Sequence, residues 1–203
     1  MSTTPRVVFF DVGGVLASNG WDRYARRRAA DRFDIDLEEF QDRHDFVSNP
    51  FETGELDLDA YLDRTIFYRD RPFERAAVVE FMFEQTQPFE EPLAIAAEVA
   101  AGGRFLLATL NNESRALNEH RIETLGLRDH FAMFLSSCYL GVRKPEPEIY
   151  RIAIDVTQSL PQECVFIDDR ELNLECAALE GMHTIHFTDA ARLRTDLTDI
   201  DVL

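Results

Sequence analysis

Lys144 is the single lysine among 21 basic residues; every other one is arginine. It lies in the run Gly141-Val142-Arg143-Lys144-Pro145-Glu146-Pro147, next to a proline that restrains the backbone. A compact, rotatable ammonium serves where one positive charge must be aimed at an anion or a carboxylate, whereas guanidinium prefers planar, bidentate partners. Two acidic positions could share such a charge: Asp11, followed by Gly13-Gly14, and the doublet Asp168-Asp169. Thr109, followed by Leu110-Asn111-Asn112, adds a hydroxyl. An attacking carboxylate, a hydroxyl and backbone amides around an oxyanion, a neutralising lysine, and further carboxylates for a hard cation are the parts of a phosphoryl-transfer site. Each alone is ordinary, because strand-end Asp and Thr residues cap helices and turns, and acidic pairs complement a helix dipole. Capping explains four such features at successive strand ends poorly.

The elements needed to position them are legible as hydrophobic runs. Arg6-Val7-Val8-Phe9-Phe10 reads as a buried strand ending at Asp11. Trp21 to Phe33, Leu37 to Val47, Leu58 to Phe67 and Phe73 to Thr86 carry apolar residues at helical spacing, with joints at Asn49-Pro50, Thr53-Gly54 and Arg71-Pro72. Strand and helix then alternate: Leu93 to Ala101 helix, Arg104 to Ala108 strand, Glu113 to Leu125 helix, Met133 to Ser136 strand, Pro147 to Thr157 helix, Cys164 to Ile167 strand, Glu171 to Leu179 helix and Thr184 to Phe187 strand. This order predicts an α/β fold, a doubly wound parallel sheet with right-handed crossovers and an inserted helical unit. Ligands of such sheets bind beyond the carboxyl ends of the strands, where Asp11, Thr109 and Asp168-Asp169 fall.

At 203 residues, 45% of them hydrophobic and 16 of them phenylalanine, the chain has ample material for a core. Its net charge of −17 disfavours nucleic acid and anionic membrane as partners. An anionic ligand would need a local positive site, a metal or Lys144. Cys138, Cys164 and Cys176 are odd in number and form no Cys-x-x-Cys pair, which argues for small buried hydrophobes. Apolar runs are strand-sized, and the opening Met1 to Arg6 lacks a charged region leading into a long apolar one, so a cytoplasmic protein is expected. Arg26-Arg27-Arg28 reads as a solvated helix surface, Trp21 and Tyr24 as core of the helical unit, and the five histidines as structural or exposed. A homodimer stays open.

The strings VVFFDVGGVL (7–16), LLATLNN (106–112), GVRKPEPEIY (141–150) and VFIDDRELN (165–173) resemble, in order, the four motifs of the haloacid dehalogenase (HAD) superfamily. Segment 17–90 resembles its C1-type cap. The pairing of GxRKPxPxIY with FxDDxxxN is similar to the branch holding glucose-1-phosphatase-like enzymes and the N-terminal phosphatase domain of soluble epoxide hydrolases, and Glu52-Thr53-Gly54 to that branch's Glu-x-Gly turn. The resemblance implies a Rossmann-like HAD core of residues 1–16 and 91–203 and a cap of residues 17–90. It implies a Mg²⁺-dependent phosphatase for a small phosphorylated metabolite such as a sugar phosphate. Asp11 would form an aspartyl-phosphate. Mg²⁺ would be held by the Asp11 carboxylate, the Gly13 carbonyl and Asp169, with Asp168 nearby. Thr109, Asn111 and the amides of Val12 and Leu110 would hold phosphoryl oxygens, Lys144 would touch both phosphate and Asp11, and Asn173 would order the loop after Asp169.

The chain departs from that pattern twice. Gly13 stands where the family has a second aspartate that protonates the leaving group and then activates water, work worth about 10²–10⁴-fold in rate. Leu110 stands where relatives often have Asn, with Asn111 or Asn112 left to supply its contacts. Two other readings follow from these departures: a phosphate- or Mg²⁺-binding regulatory protein without turnover, and a metal-independent 2-haloacid dehalogenase. The second leaves Asp168-Asp169 as an idle pair of mutually repelling carboxylates.

Overall fold

The computed structural model describes residues 4–203; Met1 to Thr3, part of the opening read above as lacking a leader, lie outside the described residues. Five strands form one parallel sheet: β1 Val7–Phe10, β2 Leu106–Asn111, β3 Met133–Ser136, β4 Cys164–Asp168 and β5 His183–His186, in the order β3-β2-β1-β4-β5. β1 is central, with Phe10 opposite Thr109 on one side and Ile167 on the other. The order reverses across β1, which puts the switch point at its carboxyl end, beside Asp11. Alternation along β1 sends Val8 and Phe10 to one apolar cluster and Val7 and Phe9 to another. All four side chains are at most 2% exposed, and burying each stabilises the fold by about 2 kcal/mol.

Helices cover both faces. α5 (Glu90–Ala101), α6 (Arg115–Thr124) and α10 (Ala190–Asp199) contribute Ile95, Ile122 and Leu193 to the cluster of Val8 and Phe10. α8 (Pro147–Thr157) and α9 (Glu171–Leu179) contribute Ile149 and Leu174 to the other. The predicted doubly wound α/β sheet is what the chain forms.

Between β1 and α5 lie α1 (Arg23–Phe33), α2 (Leu37–Glu52), α3 (Leu58–Thr65) and α4 (Arg75–Glu84), which share an apolar cluster that also takes in Leu117 of α6. Asp22, Asp36 and Asp57 cap the first three by accepting from backbone amides of the first turn. Trp21 belongs to this cluster, but Tyr24 is 61% exposed and contributes nothing to it. Arg26 departs from the reading of a solvated arginine run: it is buried, and Nη1 donates to the Trp21 carbonyl at 2.6 Å. Arg27 and Arg28 are exposed.

Several boundaries differ from the sequence reading. Asn49-Pro50 is no joint: α2 runs through Pro50 to Glu52. β2 continues to Asn111 because Thr109, Leu110 and Asn111 pair with Phe134, Leu135 and Ser136. A short helix, α7 (Ser137–Leu140), follows β3 directly, and α10 lies where no element was predicted. No helix among the described residues is long and apolar enough to cross a membrane.

Candidate active site

The sheet's carboxyl edge gathers the acidic residues and the lone lysine. Asp11 follows β1, Asp168 ends β4, and Asp169 begins the turn into α9. The Lys144 ammonium sits 2.9 Å from Asp11 Oδ1 and 2.7 Å from Asp168 Oδ2. It is 4% exposed, Asp11 7% and Asp168 0%, so these charges interact in a medium where water screens them little. Oxygens of Asp11, Asp168 and Asp169 lie within 4.8 Å of one another, the sole group of metal-competent side chains found among the described residues.

The carboxylates are not equivalent. Asp168 Oδ1 accepts from the Arg170 amide at 2.8 Å, and Asn173 Nδ2 reaches both of its oxygens at 3.0 Å. With Lys144 added, Asp168 has its lone pairs engaged and acts as the anchor of the lysine. Asp169 Oδ1, by contrast, is buried without a partner. Its carboxylate presses against Gly14, where a Cβ would come within 2.4 Å of Oδ2. An orphaned buried carboxylate oxygen beside two other acidic groups is expensive unless a cation completes it. The all-oxygen set suits Mg²⁺. Asp11 and Asp169, with the Gly13 carbonyl, are the residues that would hold it, with Asp168 behind them.

Electrostatics agree. Burial pushes the Asp11 carboxyl up to about 7; Lys144 opposes this, and Asp168 and Asp169 add to it. Burial also raises Asp169, with Asp168 reinforcing the shift. For Lys144, burial works against the ammonium, but Asp11 and Asp168 outweigh it and raise the pKa. Raised carboxyls of this kind would exchange protons for a cation.

The remaining predicted residues fall around this centre. Thr109 is 1% exposed and its hydroxyl has no partner. The Val12 amide donates to Asp11 Oδ1 at 2.8 Å. Leu110 points its side chain into the apolar cluster beneath the sheet. Asn111 and Asn112 divide the work: Asn111 Nδ2 donates to Asn118 Oδ1 at 3.0 Å, while Asn112 pairs with the backbone of Lys144 in both directions, each at 2.8 Å. Asn112 therefore fixes the lysine loop, and only the pair of asparagines after Thr109 hinted at it. Tyr150, whose hydroxyl donates to the Asn173 carbonyl at 2.9 Å, braces the other side.

The helical unit docks next to this loop. Arg143 Nη1 donates to Glu52 Oε2 at 2.8 Å, and Ser137 Oγ donates to the Glu52 carbonyl at 2.6 Å. A groove of about 820 Å³ between α4 and α6, walled by Val79, Phe83 and His120, holds none of the predicted site residues. Its Phe83 and His120 rings stack at 4.3 Å. His44 is buried with Nδ1 2.9 Å from the Tyr61 hydroxyl, and His183 and His186 are exposed.

Residues 5–180 match the model of the haloacid dehalogenase-like hydrolase family. The chain belongs to that family. Flavin mononucleotide hydrolase 1 of Arabidopsis thaliana is 29% identical over 160 residues, which are 79% of this HAD-like hydrolase and 64% of that protein. Bifunctional epoxide hydrolase 2 of Rattus norvegicus is 39% identical over 74 residues, 36% of this chain and 13% of that protein. The chain thus spans under two thirds of one relative and a small part of the other. Among solved structures, a HAD family enzyme from Bacteroides thetaiotaomicron in complex with magnesium and inorganic phosphate superposes with a TM-score of 0.75 at 19% identity, covering 91% of this chain and 94% of its own. That likeness establishes the shared fold.

Proposed function

We propose that this HAD-like hydrolase is a Mg²⁺-dependent phosphomonoesterase acting on a small phosphorylated metabolite, such as a sugar phosphate, in the cytoplasm. The observation that carries the reading is the Lys144 ammonium held between Asp11 and Asp168 with Asp169 left a ligand short. Like charges crowded together at a largely buried site do little to stabilise a fold, and the arrangement makes sense if anion and cation binding complete it.

Asp11 attacks phosphorus, forming an acyl-phosphate as the ester P–O bond breaks and the alcohol leaves; water then cleaves the acyl-phosphate, releasing phosphate and restoring the Asp11 carboxylate. Lys144 fixes Asp11's carboxylate and neutralises the incoming phosphate, while the unpartnered Thr109 hydroxyl is free to donate to a phosphoryl oxygen. Bound Mg²⁺ would supply Lewis-acid neutralisation between carboxylate and phosphate. Residues 17–90 act as a cap that shields the reacting groups from water. The name of the Arabidopsis relative supports a phosphorylated small molecule as substrate.

A panel of phosphorylated metabolites incubated with the purified chain and Mg²⁺ tests this. Phosphate release that stops with EDTA is expected. Halide release from 2-haloacids without metal would reassign the site as a dehalogenase. Beryllofluoride binding with no turnover on any substrate would make it a regulatory phosphate-binding protein.

A further inference from the structure

Arg121 is the bulkiest fully buried side chain among the described residues, 2% exposed, and reaches from α6 to the loop that follows Asp11. Nη2 donates to the Ser18 carbonyl at 2.9 Å, and Nε lies 3.5 Å from Glu113 Oε2 in a buried ion pair but makes no hydrogen bond. The guanidinium fills space that two glycines clear for it. A Cβ on Gly20 would fall 2.0 Å from Nη2. A Cβ on Gly13 would point at Nη1 from 3.2 Å, with Asn19 Oδ1 at 3.3 Å. Gly13 is the position at which the family pattern has its acid-base aspartate, so a carboxylate there would grow directly toward this guanidinium.

We propose that Arg121 serves the leaving group: it stabilises by charge the oxygen that departs from phosphorus, where a carboxylic acid at position 13 would have protonated it. The proposal rests on the phosphomonoesterase reading. In the step concerned, an Asp11 oxygen bonds to phosphorus, the P–O ester bond breaks, and its electron pair stays on the leaving oxygen, which takes a proton from solvent afterwards. Arginine keeps its proton, so it supplies a fixed positive charge and no acid. A site of that kind favours esters whose leaving groups are acidic enough to depart as anions, such as anomeric, enolic or aryl phosphates. Glu113, the nearest counter-charge, reaches only the far Nε side. The competing explanation is that Arg121 merely rivets the loop through Ser18.

The two differ in how the loss depends on the leaving group. The full chain with Mg²⁺ is assayed on aryl and alkyl phosphates of graded leaving-group pKa, and log kcat/KM is plotted against that pKa for wild type, Arg121→Gln and Arg121→Lys, with melting curves to confirm folding. Arg121→Gln is expected to steepen the negative slope, losing about 10-fold on p-nitrophenyl phosphate and about 10³-fold on an alkyl phosphate. Arg121→Lys, which keeps the charge, is expected to run nearly parallel to wild type at reduced rate. A uniform loss with Gln, or none, would overturn the proposal and leave a structural rivet. If Arg121→Gln does not fold, the uncharged Arg121→Met takes its place in the same plot, and a line parallel to wild type overturns the proposal. No hydrolysis of any ester by the wild type sinks the phosphatase reading itself, a result distinct from parallel lines.

Discussion

At the scale of single residues, the buried pair of Asp11 and Lys144 sets function against stability. The Asp11 carboxyl is raised to about 7 chiefly by burial, so above that pH the folded state carries a charge it disfavours. Asp11→Asn removes the charge while Lys144 keeps Asp168. Turnover should fall on the order of 10⁴-fold or more, because no nucleophile remains. Metal-free stability at pH 8 should hold or rise, by up to a few kcal/mol on the linkage scale of about 1.4 kcal/mol per pKa unit. Steady-state kinetics and denaturant titration check the two halves; a well-folded variant of full activity would remove Asp11 from the mechanism. Lys144→Arg retains the charge but not the shape. The ammonium is wedged between two carboxylates and sits 5.2 Å from the centre of the Phe166 ring, so the longer planar fork overpacks the site. The expected outcome is an activity loss of at least about 10-fold with about 1–3 kcal/mol of destabilisation.

At the scale of elements, the helical unit is held to the sheet's edge by the turn after α2. Gly54 has φ +78°, and a Cβ there would lie 2.3 Å from the Cys138 carbonyl oxygen of α7. Gly54→Ala must therefore move backbone against backbone. It should cost about 1–3 kcal/mol and weaken substrate binding by loosening the Glu52–Arg143 contact, read as a lowered melting temperature and a raised KM. An unchanged melt would show that this junction yields easily. The same region marks where sequence reasoning works and where it stops. Strand-end carboxylates, glycines and the lone lysine announced the sheet's edge because each residue type is chemically specific. The Glu-x-Gly turn was visible too, yet its partner on α7 was not, since a four-residue helix carries too little periodicity to detect. Pro50 was read as a break, but α2 continues through it. α10 was missed for a different reason: its Asp189 cap and buried Leu193 and Leu197 are an adequate signal, diluted among Arg, Asp and Thr on the exposed faces. The burial of Arg121 was not legible either, because nothing in the sequence of α6 tells which of its two guanidiniums turns inward.

Over the whole molecule, a net charge of −17 includes an acidic cluster gathered at the sheet's edge, so proton binding, cation binding and fold are expected to be linked. The sign follows from Asp11, raised by burial from 3.8 to about 7. A carboxyl raised on folding contributes most to stability below its unfolded pKa and loses that contribution as pH climbs through the folded value. Metal-free protein should therefore melt at progressively lower temperature between about pH 4 and pH 7, the interval from the ordinary to the raised value. Mg²⁺ at the proposed site would bind the ionised carboxylates and so compete with protons. The rise in melting temperature on adding millimolar Mg²⁺ should be larger at pH 8 than at pH 6, and Asp169, also raised, should push the same way. General self-repulsion grows over the same pH range and would mimic part of the trend. Matching ionic strength with NaCl separates them, because screening acts on the surface charges and leaves the buried cluster bare. Repeating the scan with Asp169→Asn should abolish most of the Mg²⁺-specific shift, since that substitution removes the carboxylate whose Oδ1 is left without a partner. A Mg²⁺ shift that is the same at both pH values, or that survives Asp169→Asn intact, would place the cation somewhere other than the carboxyl edge of the sheet.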